Sequence, residues 1–330
     1  MHNVKRHKQT PEALAEKRQR EKSKIDEYLA LTDDVLSRKK KQDWSNDAFE
    51  LTQRLLQINP EFYTVWNYRR NILLNGIFPQ STPEKINNLL SNELSMTTTA
   101  LKANPKVYWI WNHRRWCLEN VPDGPERNEV PSMEWRQANW DKELFVAERM
   151  LDADARNFHA WNYRRYVLEN MPTRRPETSE LAYTSRKIGV NFSNFSAWHQ
   201  RSKTLVGLWE SGQLDPIQSR DDEFEFVSNA LYTDPEDQSA WIYHRWLIGS
   251  GENKAQLERE IQLIFELLQE QPDSKWCMES LVHYKRLLLQ NHAQDSQTLK
   301  QECGELLSRL ADLDPVRYFR YQDLKRDLDQ

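Results

Sequence analysis

Stacked helical hairpins that together make one all-α solenoid are what this chain should form, and three observations say so. A tryptophan-centred motif returns five times along the chain. Between its copies run amphipathic stretches such as 139–154 and 223–234, whose apolar residues recur with helical spacing. Only eight glycines occur in 330 residues, and no stretch alternates apolar with polar side chains as a half-buried strand would. Thirteen Trp, twelve Tyr and eleven Phe can bury enough area to organise a chain of which 29% is charged.

Residues 1–43 read as a charged N-terminal tail and helix. The start, MHNVKRHKQT, is basic but has no apolar segment behind it, so it does not read as a secretory signal. Residues 11–41 have the composition of a long helix with a solvated, charged face. From residue 44 to 330 the repeats continue that helix as one domain.

The five copies are Asn59-PEFYTVWNYRR, Asn104-PKVYWIWNHRR, Asp154-ARNFHAWNYRR, Asn191-FSNFSAWHQRS and Asp234-PEDQSAWIYHR. Their tryptophans, Trp66, Trp111, Trp161, Trp198 and Trp241, are 45, 50, 37 and 43 residues apart. Weaker copies follow at Gln271-PDSKW, where Trp276 comes two residues early, and at Asp314-PVRYFRY, where Tyr321 stands for the Trp. Asn or Asp is a favoured N-cap and Pro fits the first helical position, so each copy is expected to open a helix there. Tyr63 and Trp66, or Tyr108 and Trp111, then share a helical face. The five Trp are assigned to packing between hairpins, and the arginines after them to ion pairs with a neighbouring repeat. A hairpin cannot bury its faces alone, so the copies must stack. The Pro- and charge-rich segments 121–132 and 171–180 read as exposed loops.

Several functions are disfavoured. Cys117, Cys277 and Cys303 are scattered, which argues for reduced thiols in the cytoplasm rather than a disulfide framework. No His or Cys spacing matches a zinc site, so no metal is expected in this chain. No apolar run is long enough to span a membrane. A net charge of −4 gives no electrostatic footprint for nucleic acid.

One position breaks the local rule. The residue two after each Asn or Asp is Glu61, Lys106, Arg156, Ser193 and Glu236 in turn. A cation at a helix start opposes the helix dipole by about 0.3–1 kcal/mol. Lys106 and Arg156 are therefore candidates for holding an anion with the free N–H groups of a helix N-terminus. The alternative is pairing with an acidic side chain of a neighbouring repeat or of a partner.

The W-N-x-R-R copies over roughly residues 44–325 resemble the protein prenyltransferase α-subunit repeat. Within that family, the start MHNVKRHK and the copy DARNFHAWNYRR look like the Rab geranylgeranyltransferase (type II) subunits. Farnesyl-type subunits typically read Lys-Asn-Tyr where this chain has Arg156-Asn157-Phe158. The resemblance implies a right-handed, crescent-shaped superhelix that wraps a separate β subunit carrying a catalytic zinc and most of the lipid pocket. It implies transfer of geranylgeranyl from geranylgeranyl diphosphate to C-terminal cysteines of a Rab GTPase presented by a Rab escort protein. Lys106, with Arg156, would hold the diphosphate, and Tyr108, Asn157, Phe158 and His159 would face the β subunit or lie near its active site. His159 is read as an interface hydrogen-bonding group rather than an acid or base. His2, in the basic tail, would reach the partner's zinc as a reversible block, unless the tail is disordered. The immunoglobulin-like and leucine-rich domains of larger relatives are not expected, which points to a short, fungal-type form. Two rivals remain: a farnesyl-type α subunit, and a helical-repeat scaffold without catalytic role. Tetratricopeptide-like scaffolds keep a near-constant period of about 34 residues.

Overall fold

The computed structural model describes residues 10–127, 130–292 and 296–329, in two compact units that divide after Arg174. The first unit begins with α1 (Pro11–Lys40), capped by the Thr10 hydroxyl and buried only at Val35. Three helical hairpins follow: α2 (Asn46–Ile58) with α3 (Tyr63–Ile72), α4 (Pro83–Ala103) with α5 (Tyr108–Glu119), and α6 (Glu134–Ala153) with α7 (Phe158–Asn170). The second unit holds four: α8 (Thr178–Val190) with α9 (Phe195–Glu210), α10 (Pro216–Thr233) with α11 (Gln238–Ile248), α12 (Lys254–Glu270) with α13 (Lys275–His292), and α14 (Ser296–Leu313) with α15 (Tyr318–Asp329). The expected all-α hairpin architecture is what forms.

Two local expectations are corrected. Segment 121–132 is not a plain loop: β1 (Gly124–Arg127) and β2 (Val130–Ser132) pair antiparallel between the second and third hairpins. The Asn or Asp of each copy does not start a helix but ends the one before. Asn59, Asn104, Asp154, Asn191 and Asp234 are C-caps of α2, α4, α6, α8 and α10. In four copies the Asn or Asp side chain accepts the N–H two residues on, as Asp154 Oδ1 does from Arg156 (3.1 Å), and thereby closes an Asx turn. The helix proper starts at Tyr63, Tyr108, Phe158, Phe195 and Gln238. Asn157, Asn194 and Asp237 are the true N-caps of α7, α9 and α11.

That turn explains why the motif needs tryptophan. Each indole N–H donates to the carbonyl six residues back: Trp66 to Pro60 (2.8 Å), Trp111 to Pro105 (3.0 Å), Trp161 to Ala155 (3.0 Å), Trp198 to Phe192 (2.7 Å) and Trp241 to Pro235 (2.8 Å). The ring fills the core while its polar edge pins the turn. All five are buried, as the sequence implied. In the sixth copy, however, the buried position belongs to Met278, and Trp276 is only half-buried. The register is set by the turn, with Ser274 N–H on the Gln271 carbonyl at 3.0 Å, and the knob falls seven residues after the C-cap whatever residue stands there.

The first arginine of the motif links hairpins. Arg69 makes a two-pronged contact with Glu93 on the next hairpin (2.6 and 2.6 Å) and donates to the Phe49 carbonyl of its own hairpin (2.8 Å). Arg114 repeats this with Glu143 (2.9 and 2.5 Å) and the Leu94 carbonyl (2.6 Å), and Arg201 with Glu223 (2.7 and 2.5 Å) and the Leu181 carbonyl (2.9 Å). A third helix reaches the same carboxylates: His113 to Glu93 (2.9 Å), Tyr163 to Glu143 (2.6 Å) and Tyr243 to Glu223 (2.5 Å). Each buried Glu thus ties three helices with charge-assisted bonds.

These nodes set an acid response. Burial alone would raise the Glu93 pKa, but Arg69 and then His113 outweigh it and hold it near about 2, from an ordinary 4.5. A depressed carboxyl stabilises the fold fully above its unfolded pKa and loses that contribution as pH falls toward the folded value. Buried His113 is lowered from 6.5, so it adds loss in the same direction from 6.5 downward. Urea midpoints should therefore drop steeply between about pH 4.5 and 2. Glu93→Gln should flatten that limb, and an unchanged slope would contradict the assignment.

Candidate functional site

The turns that precede α3, α5 and α7 present matching residues on one surface of the first unit. Tyr63, Tyr108 and Phe158 open these helices and are 54%, 57% and 53% exposed, unusual for large rings at a repeated position. Tyr63 lies against Trp109 with ring centroids 5.3 Å apart, and Tyr108 against Phe158 at 6.2 Å. His159 is buried beneath them, edge-on to Tyr108 at 4.3 Å and stacked on Phe158 at 4.0 Å. Burial lowers its pKa, helped by the Lys106 charge and opposed by Glu61, so the imidazole is neutral at pH 7. Tyr63 and Trp109 extend this surface beyond the residues singled out from sequence. The signal for Tyr63 was its position, equivalent to Tyr108.

Lys106 and Arg156 do not lie inside helix termini. Both stand in the pre-helical turn, two residues ahead of Tyr108 and Phe158, so the dipole penalty inferred from the sequence does not apply. The Lys106 ammonium is 68% exposed and meets Asp154 of the next hairpin at 3.5 Å. An exposed pair of this kind contributes about 0–1 kcal/mol and is readily exchanged for another anion. Arg156 is exposed, and its backbone N–H is bound by the same Asp154. Asp154 thus occupies the place where the sequence argument put an external anion.

Asn157, expected to face the β subunit or lie near its active site, has its side chain turned inward in this chain. It is 1% exposed, accepts the N–H groups of His159 (3.0 Å) and Ala160 (3.3 Å), and donates to the Pro105 carbonyl at 3.2 Å. It caps α7 and binds that turn to the preceding one, because a short amide just before a helix satisfies the orphan N–H groups best by turning inward. His2 lies outside the described residues.

The second arginine of the motif forms another row. Arg70 donates Nε to His113 Nδ1 at 3.3 Å, which leaves the Nε2 proton for Glu93. Arg115 stacks on Tyr166 at 4.6 Å. Buried nitrogens of both, Arg70 Nη2 and Arg115 Nε, have no hydrogen-bond partner among the described residues.

An ammonium, a phenol and a neutral imidazole can hold an anion and pack against an apolar surface. Cys117, Cys277 and Cys303 are buried, and burial raises all three thiol pKa values, so they are not nucleophiles. Among the described residues no group of three or more His, Cys, Asp or Glu could hold a metal ion. No helix there is long and apolar enough to cross a membrane.

Residues 45–76, 90–121, 140–171, 178–208 and 220–250 match the protein prenyltransferase alpha subunit repeat. The chain is 38% identical to the geranylgeranyl transferase type-2 subunit alpha of Schizosaccharomyces pombe, over 99% of this chain and 98% of that one. It is 33% identical to the subunit of the same name from Saccharomyces cerevisiae, over 98% of each. The Homo sapiens subunit is 37% identical, over 76% of this chain but 42% of its own length. In fold, the chain is similar to one in the structure of Candida albicans protein geranylgeranyltransferase-I complexed with GGPP, with a TM-score of 0.71, 21% identity and coverage of 92% and 91%. On the strength of near full-length identity above 30%, the chain belongs to the protein prenyltransferase alpha subunits, in the family of the geranylgeranyl transferase type-2 alpha subunits.

Proposed function

We propose that this chain is the α subunit of a Rab geranylgeranyltransferase, active in the cytoplasm as a heterodimer with a β subunit. The enzyme transfers geranylgeranyl from its diphosphate to C-terminal cysteines of Rab GTPases presented by an escort protein. The observation that carries this reading is the 38% identity to a type-2 alpha subunit over 99% of the chain. The exposed aromatic surface of Tyr63, Tyr108 and Phe158 supports it as a docking face, since rings at that exposure gain most from being covered.

The zinc of the reaction is assigned to the β subunit, where it would lower the thiol pKa of the acceptor cysteine. This chain's part is to position that subunit and to place one cation at its rim. Lys106 would exchange its loose contact with Asp154 for a diphosphate oxygen, with the Tyr108 hydroxyl as a neighbouring donor. Arg156 stands one hairpin further on and would add long-range charge. His159, buried and neutral, would hold the Tyr108 ring in place rather than move protons.

The test is co-expression with a type-2 β subunit and, separately, with a farnesyl-type β subunit, followed by transfer assays with both prenyl diphosphates. Geranylgeranyl transfer to a Rab with the first partner is expected. Farnesyl transfer to a CaaX peptide with the second would overturn the assignment. Lys106→Ala should lower transfer about ten- to a hundredfold, the worth of one charge-assisted hydrogen bond of about 1.5–3 kcal/mol. Heterodimer assembly should persist. Lys142→Ala, an exposed cation on α6, should leave turnover unchanged. Equal effects of the two would make Lys106 an ordinary surface lysine.

A further inference from the structure

The second unit contains a pocket of about 110 Å³ among α11, α13, α14 and α15, where Arg245 of the fifth copy and Tyr321 of the last meet residues outside the motif. Three guanidinium groups and an imidazole, Arg245, Arg286, Arg320 and His283, share its wall with apolar side chains that include Val282 and Leu307. Such a volume has room for several waters, and so for a four-oxygen anion.

The cations in it are poorly compensated. Arg245 Nε is buried without a hydrogen-bond partner among the described residues, and the carboxylate oxygen paired with Arg245, on Glu279, is 3.9 Å from Nη2. Its other contacts are loose as well: 3.4 Å to Ser280 Oγ, and the face of the Trp276 ring at 5.7 Å from the guanidinium carbon. Arg286 reaches Asp327 only at 3.7 Å. Arg320, which is exposed, has no hydrogen bond or ion pair among the described residues. The single carboxylate lining the pocket is already engaged: Glu279 Oε1 accepts from Arg317 (2.8 Å) and from the Tyr321 hydroxyl (2.9 Å). Asp314, behind it, is likewise held by Arg317 at 2.9 Å and by Tyr321 at 3.3 Å. His283 lies close enough to Arg245 and Arg286 that, after burial, their charges are what depress its pKa. All three arginines line the one pocket, although Arg245 and Arg286 also keep loose contacts of their own.

We propose that this pocket binds a phosphate group in its dianionic form, with Arg245, Arg286 and Arg320 as its charged donors and His283 as a neutral one. Guanidinium forks match phosphate oxygens two at a time, and a dianion offsets more of the excess positive charge than a carboxylate does. The apolar walls lower the local dielectric and strengthen each contact. The site is separated in sequence from Lys106 and Arg156, and the proposal does not depend on the prenyl-transfer reading.

Calorimetric titration of the full chain tests it, in chloride buffer at pH 7.5 and constant ionic strength. Inorganic phosphate and O-phosphoserine are the two probes. One saturable site in the low-millimolar range or tighter is expected. Phosphate alone binding identifies a site for the free ion, and both binding identifies one open enough for a phosphate monoester. The double variant Arg286→Gln/Arg320→Gln, whose losses are a 3.7 Å contact and an unpaired side chain, should fold and bind at least tenfold more weakly. Lys40→Gln/Lys41→Gln, on and just after α1, removes the same charge and should bind as the parent does. Absence of saturable binding for both probes, or equal binding by the two double variants, overturns the proposal.

Discussion

Glu143→Ala is expected to destabilise the first unit by about 3–5 kcal/mol, because it strips the counter-charge from a buried guanidinium. Arg114 is fully buried, and Glu143 receives its Nε at 2.9 Å and its Nη2 at 2.5 Å. Truncation leaves both donors without acceptors, and the Tyr163 hydroxyl loses its 2.6 Å contact as well. The carbonyl of Leu94 and the hydroxyls of Thr97 and Thr98 still hold Nη1, so the arginine cannot swing out to water without breaking further bonds. A double-mutant cycle separates the pair from its desolvation. Arg114→Met combined with Glu143→Leu should recover much of the single-variant loss, since an apolar pair of similar volume carries no burial penalty for charge. Urea unfolding followed by tryptophan fluorescence measures each corner. A loss below about 1 kcal/mol for Glu143→Ala would mean that water reaches the guanidinium and that the node is not a closed one.

That carboxylate shows how far the sequence could be read. The tryptophan copies were legible because a large ring in a fixed register leaves a recurrent mark. The glutamates leave one too. Glu93, Glu143, Glu180 and Glu223 each precede Trp111, Trp161, Trp198 and Trp241 by eighteen residues, and each is followed by Leu or Phe. Glu260 precedes Met278 by the same eighteen, which places the sixth knob on Met278 rather than on Trp276. The copies were aligned forward from Asn or Asp, and the constant distance lies backward, across the first helix of each hairpin. The irregularity in the tryptophan intervals therefore lies between each tryptophan and the next glutamate, in the helix ends and the connections between hairpins.

Local chemistry misled where it fitted two structures equally. An Asx-Pro pair suits an N-cap and first helical residue, and suits an Asx turn just as well. Only the N–H that the side chain actually receives decides, two residues on, as Asn59 Oδ1 receives that of Glu61 at 3.1 Å. Lys106 and Arg156 stood out from Glu61 in the sequence by charge, but the contact of Lys106 with Asp154 could not be read there, since Asp154 comes from the next hairpin. Asn157 could not be placed inward from spacing alone, because Phe158 beside it points out. The cationic pocket of the second unit could not be assembled from the sequence: Arg245 and Tyr321 belong to repeat copies, but Arg245, Arg286 and Arg320 stand on three different helices.

Trp161→Ala should cost about 3–5 kcal/mol, the range for emptying the site of a large buried aromatic, and should damage the candidate site from behind. The ring is buried at the base of α7, and its N–H holds the Ala155 carbonyl at 3.0 Å. That carbonyl belongs to the turn carrying Asp154 and Arg156, and Asn157 closes the same turn against the Pro105 carbonyl of the second copy. The variant thus loses packing and one of the bonds that fix the anion Lys106 now faces. Trp161→Phe separates the two effects. It keeps most of the apolar volume but leaves the Ala155 carbonyl unpaired, for a loss of about 1–3 kcal/mol. Hydrogen exchange at Arg156 and Asn157 should rise in both variants, while amides of the α13 core stay protected in the other unit. If the unfolding midpoint of Trp161→Ala matched the parent's, the ring would not be a core element. If Trp161→Phe were silent in exchange at the turn, the indole would pack without pinning it, and the recurrence of tryptophan over phenylalanine at all five positions would need another cause.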